Sequence, residues 1–147
     1  VSTMRKAAWI SSVALGVVLV IGGVVTWAVV TSTLSAQRIT VSGDADCMAG
    51  TAVDNPISAY CQAKVIDKHT AAITGGQTYA ELAQDDPLRE TAMTSSFLQA
   101  SLFTSVLAFG MSAVAVAMGL IFVLIGLGMR DVTKHSPQHA EPAHVAV

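Results

Sequence analysis

The chain has 147 residues, of which 52% are hydrophobic, 12% charged and 5% aromatic, with a net charge of −2 and a mean hydropathy of +0.59. A soluble domain of this size carries about a quarter charged residues, so half that fraction points to a protein partly dissolved in lipid. The charge balance excludes a nucleic-acid binder working through a basic footprint. The two cysteines are too few for a disulfide-dense module or a cysteine-based zinc ribbon.

The first predicted element is a transmembrane helix over residues 7–30, preceded by a short polar N-terminus, residues 1–6. No ionisable side chain occurs between residues 7 and 37, and a bilayer core roughly 30 Å thick needs about 20 apolar residues to be crossed. Glycines and β-branched residues in this run would weaken a helix in water. In lipid the backbone must satisfy its own hydrogen bonds, which favours a helix regardless. The apolar run is too long for a signal-peptide core of roughly 7–15 residues, and Thr33-Leu34-Ser35 is a poor cleavage site.

A polar loop, residues 31–96, follows. Ile39-Thr40-Val41-Ser42 alternates like a short extended segment, and the stretch from Gly43 to Asn55 is rich in turn residues. Asn55-Pro56 reads as a helix cap followed by proline at the first helical position. Ile57, Tyr60, Cys61, Lys64, Val65, Lys68 and Ala72 recur at helical spacing, predicting an amphipathic helix to about Ile73, stopped by Gly75-Gly76. Thr78-Tyr79-Ala80-Glu81 has the form of a capping box opening a further short turn. Asp85-Asp86-Pro87 repeats the cap-and-proline device.

Nothing after Pro87 breaks the pattern, and residues 91–129 again lack any ionisable side chain. One helix is expected from about residue 87 to residue 129, roughly 60 Å long, with residues 97–129 as the second transmembrane segment. Its first turns then stand clear of the membrane. Residues 130–147 read as a disordered polar tail.

Orientation follows from the cations. Arg5 and Lys6 precede the first span, and Arg130 and Lys134 follow the second, whereas the loop carries eight acids against four cations. The positive-inside rule therefore places both termini in the cytoplasm and the loop outside a plasma membrane. Cys47 and Cys61 lie in that exported loop, where an oxidising environment permits a disulfide. The fold class expected is an all-α membrane protein: a two-helix transmembrane hairpin with a small, mainly helical, disulfide-stapled extracytoplasmic loop. A competing reading makes the cysteines, with Met48 and His69, soft ligands for copper.

Within the spans, Ser101, Ser105, Ala108, Ser112, Ala115, Gly119 and Gly126 form a row of small residues broken by Phe122. Ser12, Gly16, Gly23 and Thr26 form a similar row, with Leu19 between them. Small residues let helix backbones approach closely in lipid, so the rows are expected to pack on each other or on a foreign helix. The faces carrying Val13, Val17, Val20 and Val24, and Leu107, Val114, Ile121 and Leu124, are then left for lipid or a partner. Met93, Phe97 and Leu98 sit on the emergent part of the second helix. They are candidate partner contacts, or they pack locally on Tyr60 and Val65.

Catalytic signals are missing from the sequence. Neither span contains Asp, Glu, Lys, Arg or His, so the usual intramembrane relay or ion site has no residues to work with. The loop's one histidine, His69, reads as a solvated surface residue. His135, His139 and His144 in the tail are interrupted by Pro137 and Pro142. The expectation is a chain with no catalytic residues, no metal site and no cofactor.

The run Thr74-Gly-Gly-Gln-Thr-Tyr-Ala-Glu-Leu-Ala-Gln-Asp-Asp-Pro-Leu-Arg89, with Phe97-Leu-Gln-Ala-Ser-Leu-Phe-Thr-Ser-Val-Leu-Ala-Phe-Gly110, resembles a family of small two-span actinobacterial membrane proteins. Arg5-Lys-Ala-Ala-Trp9 and Gln37-Arg-Ile-Thr-Val41 share the likeness. The family is often labelled aromatic ring-opening dioxygenase, a chemistry that needs two histidines and a carboxylate together and finds no such set here. Proteins of this build are similar to the accessory subunits of the cytochrome bc–cytochrome oxidase supercomplex. The resemblance implies a non-catalytic accessory subunit whose partners are the integral subunits of those complexes and the bilayer, with no nucleic acid or small-molecule substrate. A copper-handling or oxidase assembly factor, and a free-standing envelope protein, are the other readings.

Overall fold

The computed structural model describes residues 2–135. Three helices account for most of them: α1, Ser2–Ala36; α2, Pro56–Thr74; and α3, Arg89–His135. α1 and α3 are both long and apolar enough to cross a membrane. The second long helix begins two residues later than expected, with the Asp86 carboxylate accepting from the Leu88 backbone N–H at 2.8 Å. At its other end it continues to His135, so the first residues of the expected tail are helical; residues 136–147, including His139 and His144, lie outside the described residues.

The chain divides into two compact units. One combines the residues up to Val20 with those from Ala117 onward, and the other is Ile21–Val116. In the first unit the helices run antiparallel at very close approach. A Cβ added at Gly16 would lie 2.5 Å from the Gly119 carbonyl oxygen, and one at Gly119 2.6 Å from that of Gly16. Only glycine lets the two backbones come this near. Ser12 donates from its hydroxyl to the Phe122 carbonyl at 2.8 Å, and the Arg130 guanidinium sits 5.5 Å over the Trp9 ring.

In the second unit Gly23 meets Ser112 and Val116 in the same manner, with 2.8 Å between a built Cβ and the Ser112 carbonyl. One helical turn further, Trp27 and Phe109 meet edge to face with centroids 4.7 Å apart. The apolar core of this unit joins Leu34, Leu102 and Phe109 of the long helices to Val41, Val53, Ala59, Cys61 and Ala63 of the intervening segment.

That segment is more ordered than a turn-rich reading implies. The Val41 N–H donates to the Thr51 carbonyl, Gly50 N–H to Val41, and Val53 N–H to Ile39, closing a small antiparallel bridge at Thr40 and Ala52. Val41 and Val53 are thereby both buried. The α2 cap forms at Asn55, whose side chain accepts from the N–H groups of Ile57 and Ser58, while Ser58 Oγ accepts from the Asn55 N–H. Gly75 ends the helix in the left-handed conformation, φ 65°. Thr78 and Glu81 form their hydrogen bonds too, but close a turn rather than start a helix.

Candidate interaction surfaces

Cys47 and Cys61 are joined in a disulfide with Cα atoms 5.7 Å apart. The bridge ties the loop around residue 47 to the buried face of α2. It closes a loop of about 15 residues, worth roughly 3 kcal/mol in the chain-entropy picture. That face includes Cys61 and Val65, which the spacing picked out, but is rotated away from its other members. Ser58, Ala59, Cys61, Ala63 and Val65 are buried, whereas Ile57, Tyr60, Lys64, Lys68 and Ala72 are exposed. Ser58 is held in the cap by its hydrogen bonds with Asn55, and Ala59 and Ala63 join the core with Val41, Val53 and Leu102.

Beside the disulfide, His69 Nε2 lies 2.6 Å from Asp44 Oδ2, and Lys68 Nζ lies 3.9 Å from Asp46. The hydrogen bond from His69 is the main cause holding the Asp44 carboxyl below its ordinary 3.8. The Glu81 carboxyl is lowered as well, chiefly by the Thr78 backbone N–H and then by its hydroxyl. All of these groups are solvated. Among the described residues no three His, Cys, Asp or Glu side chains converge as a metal-ligand set.

A cavity of about 500 Å³ opens between the end of α1, α2 and α3, with Thr33, Ile39, Gln62, Leu98, Ser101 and Ser105 among its walls. Hydroxyls, amides and aliphatic carbons line it, with no titratable group, so it holds no general acid or base. Gln62 is already engaged, its side-chain oxygen accepting from the Ser42 N–H at 3.0 Å.

The small-residue positions separate by burial. Gly16, Gly23, Ser112, Gly119 and Gly126 are buried; Ser12, Ser105, Ala108 and Ala115 are half-buried; Ser101 and Thr26 are exposed. Val13 and Val20, expected on the outer face, belong to the packed one: their methyls lie 2.5 Å and 2.8 Å from Cβ positions built on Gly126 and Gly119. Val17, Val24, Leu107, Val114, Ile121 and Leu124 are exposed. Spacing alone missed the large members of the contact, Phe109 and Leu102, because in a helix apolar on every side a packed hydrophobic side chain reads the same as an exposed one.

Leu98 lines the cavity it shares with Gln62 and Ile66 of α2, and all three of Met93, Phe97 and Leu98 keep exposed surface. Phe97 is 67% exposed, Leu98 48% and Met93 37%. Tyr60 instead meets Phe103, edge to face at 6.2 Å, and Val65 is buried. Met93 lies by Tyr79, whose ring is covered by the Arg89 guanidinium at 4.1 Å.

Comparison with known proteins adds no relative: no family model matches the chain, and no curated protein or solved structure matches it.

Proposed function

We propose that this chain is a two-span membrane protein with cytoplasmic termini, a disulfide-stapled extracytoplasmic loop and no catalytic activity, serving as an accessory subunit of a larger membrane assembly. The observation that carries the reading is the exposure of the two long helices. Of their most apolar 18-residue stretches only 11% and 17% is buried, whereas a core helix of a soluble protein hides such a surface. A surface this apolar is stable only against lipid or another protein. Trp9 and Trp27 support the same placement. They are eighteen residues apart in sequence, close to the about 20 residues a helix needs to cross a bilayer core, and tryptophans favour both interfaces.

Phe97 supports an accessory over a free-standing role. Its ring stands exposed on α3, thirteen residues, about 20 Å, before Gly110 and so beyond what a single crossing ending near Met129 requires. The sequence resemblance makes the cytochrome bc–cytochrome oxidase supercomplex the first candidate assembly, with haem and copper belonging to its other subunits. The disulfide argues against the copper-handling reading, because it occupies both cysteines.

The test is Phe97→Glu in the full chain, followed by mild-detergent purification of the oxidase. Truncating a packed interface aromatic costs about 2 kcal/mol or more, and an unpaired buried charge adds to it. The expected result is loss of the chain from the purified complex with membrane insertion and the disulfide unchanged, since Phe97 makes no internal core. Undiminished co-purification would show that Phe97 is no anchor, and absence of the unsubstituted chain from the complex would refute the assignment to it.

A further inference from the structure

We infer that the end of the helix pair carrying both termini holds an anionic phospholipid, in a groove between the first turns of α1 and the last turns of α3. The groove encloses about 360 Å³ and is lined by Arg5, Ala8, Ile125, Gly128, Met129 and Val132. Its order along the helices matches the order of groups in a phospholipid. Ala8 and Ile125 form the end nearer the span centre. Arg5 lies about one turn outward on α1, where the headgroup phosphate of a lipid entering from the bilayer would arrive. Gly128 makes the groove possible: a Cβ there meets nothing within 4 Å, so the missing side chain leaves open space and not a contact for the other helix. This contrasts with Gly16, Gly119 and Gly126, whose missing side chains are filled by the opposite backbone.

Charge decides which lipid. Lys6 and Arg130 join Arg5 at this end, against Asp131 as the acid among the described residues there. Arg130 is engaged over the Trp9 ring, so Arg5 is the cation that lines the groove itself. Basic pockets between transmembrane helices on the cytoplasmic side are suited to anionic headgroups, and a guanidinium pairs with phosphate through paired donors. A zwitterionic headgroup would bring its own cation beside Arg5.

The inference rests on the membrane reading, and the experiment separates the two. The full chain is taken from membranes after an alkaline carbonate wash. In detergent it is titrated with phosphatidylglycerol or with phosphatidylcholine of the same acyl chains, and bound lipid is counted by native mass spectrometry. Phosphatidylglycerol is expected to bind at least about fivefold more tightly, the worth of roughly one cation at the surface. Arg5→Gln should remove that preference. Gly128→Leu should weaken both lipids by filling the groove, with the Cys47–Cys61 bridge intact, whereas Gly22→Leu, also in open space, should leave binding unchanged. Equal affinity for the two headgroups, or a preference that survives Arg5→Gln, would overturn the inference while leaving the membrane reading standing. Release of the chain by carbonate would overturn both.

Discussion

At the scale of single residues, the helix contact depends on hydrogens where other residues carry methyl groups. Gly16→Ala would drive a carbon to 2.5 Å from the Gly119 carbonyl, a backbone atom that cannot swing aside. Overpacking of this kind costs about 1–3 kcal/mol. Gly22→Ala, with nothing within 4 Å, is the matched control. Thermal unfolding in detergent should show a lowered midpoint for Gly16→Ala and Gly119→Ala and none for Gly22→Ala. A second residue-scale expectation concerns Asp44. Its carboxyl is held below 3.8, first by the His69 hydrogen bond. A lowered folded value means the interaction stabilises fully above the unfolded value and is lost as pH falls through the folded one, so the window lies below pH 3.8. In a carboxyl NMR titration Asp44 should have its midpoint below 3.8, and His69→Gln should raise it; an unchanged midpoint would refute the assigned cause.

At the scale of elements, α2 shows how local and tertiary signals divide the work. Its ends are local. Asn55 satisfies the N–H groups of Ile57 and Ser58, and Gly75 supplies the left-handed residue that ends the helix. Asn55→Ala should cost about 1 kcal/mol, read as a roughly fivefold loss of hydrogen-exchange protection in the first turns of α2. The choice of buried face is not local. Lysines 64 and 68 have stems long enough to cover apolar surface, which allows a helical wheel to assign them inward. Packing against Val41, Val53 and Leu102 instead selects the short side chains of Ala59 and Ala63.

At the scale of the whole molecule, the expectations concern topology and the staple. A cysteine placed at Gln77 should react with a membrane-impermeant thiol reagent added to intact cells, and one placed at Ser2 should not; the reverse pattern would invert the orientation. Cys47 and Cys61 should resist alkylation until reductant is added, since the bridge leaves no free thiol among the described residues. Free thiols in unreduced protein taken directly from membranes would remove the staple and return copper binding to consideration.

Length, charge placement and punctuation residues determined a great deal without any coordinates. Two charge-free runs correspond to the two long apolar helices, α1 and α3, each long and apolar enough to cross a membrane. Asn55-Pro56 and Gly75-Gly76 mark the ends of α2, because caps act over a few bonds. The cysteine pairing was open only to the choice between bridge and ligand, as there are two cysteines in all. Tertiary structure alone decided which members of an apolar helix face protein. Val13 and Val20 differ from Val17 and Val24 by position and not by chemistry, and only the approach of a second backbone separates them. It also decided that Phe97 stays exposed while Tyr60 meets Phe103, and that Ile39–Val41 pairs with residues 50–53. Each of these depends on contacts distant in sequence, where a side chain's own preference is the same for every neighbour of similar polarity.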